Sequence, residues 1–110
     1  MRDEREFLLD ILEAIEKIES RGVQGKEAFD RDELLQTWMI HHIQIIGEAA
    51  SRLLQVAKDK HPEIPWAKIV GMRNTLVHEY FGIDFNEIWL TVERDIPILK
   101  DQIRRIVEKG

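Results

Sequence analysis

The chain has 110 residues, net charge −5 and a pI near 5.4, with 44% hydrophobic and 34% charged residues. That is the size and make-up of one folded domain spanning residues 1–110. It contains no cysteine, which excludes disulfides and thiolate chemistry, and its acidity argues against a general nucleic-acid coat while leaving room for a local basic site. No apolar run approaches the roughly 20 residues of a membrane span. The charged start Met1-Arg2-Asp3-Glu4-Arg5-Glu6 does not read as a signal peptide. A cytoplasmic location without membrane attachment is the simplest expectation.

In chain order, Phe7, Leu8, Ile11, Leu12, Ile15 and Ile18 recur at the helical period and predict a first helix from residue 3 to about 20, with Asp3 and Glu4 at its positive end. Gly22 and Gly25 break it, so residues 21–30 read as a loop, with no phosphate-cradle spacing among the glycines. Asp30 with Glu33 has the form of a capping box, and a long helix is expected from there to about Lys60. That helix carries two apolar stripes. Leu35, Trp38, Ile45, Ile46, Ala49, Leu53 and Val56 form one, with His42 inside it as a hydrogen-bonded core or interface histidine. Ile40, Ile43, Gly47, Ala50, Leu54 and Ala57 form the other, at the spacing of a helix–helix seam. So wide an apolar arc is buried on two sides. The second side is read as a subunit interface; the alternative is a four-helix core that uses both stripes.

His61-Pro62-Glu63-Ile64-Pro65 is a stiff connector. A third helix is expected over about 65–80, opened by Pro65 and stopped by Gly82 in the left-handed C′ position. Its stripe is Trp66, Ile69, Val70, Leu76 and Val77, and Arg73 falls in the middle of it. At about 100° per residue Tyr80 would lie over Arg73, Asn74 would share the face of His78, and Arg73 and His78 would diverge by roughly 140°. They converge only if the helix end unwinds or a second copy supplies the partner. Asp84 and Glu87 form another capping box, ahead of a last helix with Phe85, Ile88, Trp89, Val92, Ile96, Leu99, Ile103 and Ile106 on one side. The stripe keeps its phase through Pro97, which predicts a kink there. No strand pattern occurs.

Chemistry narrows to Arg73, Asn74, His78 and Tyr80. His41 and His42 are adjacent and diverge on a helix, and no histidine or carboxylate pair has metal spacing, which leaves only a metal site assembled from remote residues. There is no nucleophile elbow. A buried guanidinium needs a partner. One reading pairs Arg73 with an acid such as Glu48 and has His78 finish the helix end. The other uses His78 for proton transfer and Arg73 as a phosphate clamp, the groups needed for RNA cleavage by its own 2′-hydroxyl without a metal.

Arg73-Asn74-Thr75-Leu76-Val77-His78-Glu79-Tyr80 resembles the R-x4-H-x-Y motif of the HepT-like toxins in the HEPN superfamily. Gln44 to Ala50, Ile64-Pro65-Trp66, Tyr80-Phe81-Gly82 and the acid-Ile96-Pro97 region resemble the family's other segments in order, so the likeness covers about residues 5–107. It implies an all-α HEPN bundle of four to five helices, homodimeric, with the two motif helices facing across a cleft. It further implies a metal-independent endoribonuclease with no cofactor, the toxin of a toxin–antitoxin pair. Its antitoxin would be an MNT-type nucleotidyltransferase that silences it by adding AMP to the motif tyrosine. By position, Arg73 and His78 would be catalytic, Asn74 supporting, and Tyr80 the modification site. The competing class is a non-catalytic dimeric subunit that binds a nucleotidyltransferase.

Overall fold

The structure is a computed structural model that describes residues 3–109; the side chain of Tyr80 lies outside that description. All of the regular structure among the described residues is helical. Helix α1 (Glu4–Gly22) starts where the Asp3 carboxylate accepts the Glu6 N–H at 3.0 Å and buries Leu8, Ile11, Ala14, Ile15 and Ile18. The expected loop over 21–30 is instead a tight turn followed by α2 (Gly25–Arg31), entered through Gly25 at φ +88°. So short a helix does not hold on its own. Phe29 anchors it, fully buried with its ring 5.3 Å from Trp89 and 6.3 Å from Phe85.

Helix α3 (Glu33–Arg52) is the central rod, with α1 packed on one side and α5 on the other. Its cap is Asp32, which accepts from the N–H groups of Leu34 at 2.9 Å and Leu35 at 3.4 Å. The expected cap, Asp30, belongs to α2 and pairs there with Lys26 at 2.7 Å. The helix was expected to reach Lys60 but ends at Arg52; Leu53 and Leu54 are extended (ψ 139° and 149°), and α4 (Gln55–Asp59) follows. The break turns both Leu53 and Ala57 into the core while Leu54 and Val56 stay exposed. It coincides with Ser51 Oγ donating to the Glu48 carbonyl at 2.7 Å, a local bond that competes with the helical ladder.

Most of both stripes of α3 is covered within one chain: Ile40, Ile43, Gly47, Ala50 and Ala57 are buried in the chain's own core and so form no subunit seam, while Leu54 of the second stripe is exposed. Gly47 lets α5 of the same chain approach. A Cβ there would collide with Arg73 Cβ, sit 2.8 Å from Arg73 Cγ and 3.3 Å from the Ile69 carbonyl.

Helix α5 (Trp66–His78) has Pro65 just outside it as its N-cap and ends at His78, two residues earlier than expected. The Glu79 N–H closes on the Thr75 carbonyl at 2.8 Å and a 3₁₀ turn follows over Tyr80–Gly82. Gly82 is not left-handed, because this turn, rather than a C′ glycine, stops the helix; among the described residues only Gly25 has positive φ. Extending the 100° steps of α5 to Tyr80 therefore does not apply.

Asp84 caps α6 (Phe85–Leu90) through the Asn86 N–H at 2.9 Å. A π-turn over Thr91–Asp95 joins α6 to α7 (Ile96–Lys109) without a gap. There the Ile96 N–H reaches the Thr91 carbonyl, five residues back. Pro97 has no N–H to give and its ring crowds the carbonyl four residues earlier. The distortion expected at Pro97 thus sits one turn ahead of it, as a wide turn. The buried line Ile88, Trp89, Val92, Ile96, Leu99 and Ile103 continues across it.

Candidate active site

The site is built where α5 presses on the C-terminal half of α3. Because Gly47 brings the helices close, the Arg73 stem lies on α3 and its guanidinium emerges beside Glu48, one residue on. Arg73 Nη2 meets Glu48 Oε2 at 2.7 Å, and Arg73 Nη1 donates to Asn74 Oδ1 at 2.9 Å. Two of the five guanidinium donors are thereby directed. The Arg73 side chain keeps 29% exposure, so it is braced but not sequestered. Glu48 is the acid partner that the misplaced charge of Arg73 called for. Its other oxygen, Oε1, takes Arg52 Nε at 3.0 Å and Nη2 at 2.9 Å. Arg52 was not singled out in the sequence, although it stands four residues after Glu48, the spacing at which helical side chains meet.

His78 is the last residue of α5 and is exposed. The helix stays regular through it, so unwinding does not swing it toward Arg73. The two lie five residues apart on one helix, pointing about 140° apart. Val77 (47% exposed) and Phe81 (fully exposed) flank His78 and leave the end of α5 apolar and open. From Asn74 a shallow groove of about 700 Å³ runs past Val70 and Trp66 to Gln55 and Lys58 of α4. The structure thus gathers Arg73, Asn74, Glu48 and Arg52 and leaves His78 apart from them; the Tyr80 side chain lies outside the described residues. No group of three or more histidine or carboxylate side chains among the described residues is placed to hold a metal.

His42 is buried at 6% exposure, but its Nδ1 finds no hydrogen-bond partner among the described residues, contrary to expectation. It packs instead on the Trp38 ring, 4.6 Å away, and on His41, 4.9 Å away. Burial, and then the charges of His41 and Lys17 against an opposing Glu13, push its pKa below 6.5. The fold therefore favours neutral His42, a contribution present above the unfolded-state value of about 6.5 and lost as pH falls through the folded value. Thermal stability should drop between pH 7 and pH 5, and His42→Phe, which cannot titrate, should show a flatter profile. Equal profiles would remove His42 as the cause.

No helix of the described residues is long and apolar enough to cross a membrane. The sequence profile of the HepT-like family, described as ribonuclease HepT-like, matches residues 11–106. A protein of Thermococcus cleftensis named probable ribonuclease HepT is 40% identical over 96% of this chain and 96% of its own length. Proteins named as candidate RNases come from Caldanaerobacter subterraneus (38% identical, over 99% of this chain and 98% of theirs) and Methanocaldococcus jannaschii (35%, over 93% and 94%). No solved structure matches. With an all-helical bundle and near full-length likeness to proteins named as RNases, the chain belongs to the HepT-like ribonuclease family.

Proposed function

We propose that the chain is the toxin of a two-component toxin–antitoxin system, an endoribonuclease that needs no metal. One observation carries this: Arg73 is braced by Glu48 and Asn74 yet still part-exposed, and the same helix ends in an exposed histidine. A purely structural arginine would be fully paired. Arg73 clamps the scissile phosphate. A His78 imidazole takes the proton from the RNA 2′-hydroxyl. The 2′-oxygen attacks phosphorus, the bond to the 5′-oxygen breaks, and a second proton-transfer group protonates that leaving oxygen. The products are a 2′,3′-cyclic phosphate end and a free 5′-hydroxyl end.

One chain leaves Arg73 and His78 divergent, so the working site is a dimer cleft in which each copy's Arg73 meets a His78. The exposed Val77 and Phe81 support this, since they offer apolar surface at the end of α5. An MNT-type nucleotidyltransferase is the antitoxin in this reading. It adds AMP to Tyr80, two residues after His78, which brings a phosphate and an adenosine to the cleft. A structured RNA incubated with purified protein in EDTA should be cut, with cyclic phosphate ends. No cleavage by a dimer whose intact mass shows no modification would favour a non-catalytic subunit that binds the nucleotidyltransferase.

A further inference from the structure

Arg52 has a local explanation and also one that the site suggests. Locally, it is a cation in the last turn of α3, paired with Glu48 one turn earlier, an arrangement that contributes little on an exposed helix. What sets it apart is the company it keeps. The same carboxylate carries Arg73, with one guanidinium on each oxygen. Two positive charges share a single negative one, on a chain whose net charge is −5. The cluster thus keeps a surplus positive charge on an acidic protein, which favours an anion nearby. Arg52 is 63% exposed, and its planar fork is suited to phosphate oxygens.

We propose that Arg52 is a second phosphate-binding residue of the RNA site, set beside Arg73 by Glu48. This rests on the ribonuclease reading for the identity of the anion. Arg73 holds the scissile phosphate and Arg52 a neighbouring phosphate of the same strand. Glu48 does not touch RNA; it is the positioning residue that keeps two like charges side by side.

The test is binding rather than cleavage. A short single-stranded RNA carrying 2′-O-methyl groups, which lack the attacking hydroxyl, is titrated by fluorescence anisotropy across a series of salt concentrations. Each phosphate contact on a single strand contributes about 0.7 to the slope of log affinity against log salt. Arg52→Ala should lower that slope by about 0.7, while Arg52→Lys, which keeps the charge, should restore most of it. Arg31→Ala, which removes an exposed cation paired with Glu27 on α2, should leave it unchanged. An unchanged slope in Arg52→Ala overturns the proposal and leaves Arg52 a helix-end residue. Circular dichroism checks the fold of each variant, and Arg52→Gln, which keeps the stem, replaces Arg52→Ala if that variant unfolds. Wild-type protein that binds this RNA but cuts no unmodified RNA would overturn the ribonuclease reading while the slope still decides Arg52. Wild-type protein that binds no RNA at any salt overturns both.

Discussion

Gly47→Ala should destabilise the fold by about 2 kcal/mol and lower the melting temperature by roughly 10 °C. Two effects oppose each other. Alanine in mid-helix is worth about 1 kcal/mol more than glycine. Against that, overpacking costs about 1–3 kcal/mol, and here the upper end applies. The new Cβ meets Arg73 Cβ and Cγ and the Ile69 carbonyl, all fixed to the backbone of α5 rather than at the end of a flexible side chain. Only movement of α5 away from α3 relieves the clash. That movement also carries Arg73 off Glu48, so RNA cleavage should fall by more than the loss of folded protein explains. Gly71, on α5, is the control: a Cβ there meets nothing within 4 Å. Gly71→Ala should be neutral or stabilising by up to about 1 kcal/mol. Thermal unfolding followed by circular dichroism reads both, and a Gly47→Ala variant that melts at or above the wild-type temperature would contradict the close packing of α3 on α5.

The long rods were legible in the sequence because each repeats its apolar residues for several turns. Their phase located most of the buried faces of α1, α3, α5 and the last helical tract, though Val77 and Phe85, placed on those faces, are exposed. The failures have physical reasons. Helix α2 has seven residues and one fully buried anchor, Phe29, and a single residue has no period. The break at Leu53–Leu54 carries no glycine or proline; it arises because the core is better filled by turning Leu53 and Ala57 inward. Asp30 and Asp32 were equally good caps on paper, and the folding of α2 decided between them. The second stripe of α3 was buried except at Leu54, but periodicity cannot distinguish a helix of the same chain from one of another copy. In the site, the charge misplaced on an apolar stripe was informative, and it led from Arg73 to Glu48. Arg52 gave no such signal, because an acid and a base four residues apart are ordinary on any exposed helix.

In the proposed reaction, replacing His78 should have the largest effect on activity. His78 is exposed at the end of α5, where nothing in the core depends on it. Its replacement should therefore leave the bundle intact, and surface changes of this kind alter stability by about 0.5 kcal/mol or less. General acid–base catalysis contributes about 10²–10⁴-fold to rate, and His78→Ala should lose an amount in that range. Arg73→Ala should lose about 10²–10³-fold, the scale of deleting one donor to a charged transition state. It should also cost some stability, because Glu48 then keeps only Arg52. An inactive His78→Ala with full helicity thus separates chemistry from folding more cleanly than any change at Arg73.

The deciding measurement is the cleavage rate of a structured RNA in EDTA, with wild-type and His78→Ala proteins side by side at matched helicity. Cleavage by the wild type with a loss of at least about 100-fold in His78→Ala is the expected result. Equal rates for the two proteins would show that His78 takes no part in the reaction and would contradict a ribonuclease site built on Arg73 and His78.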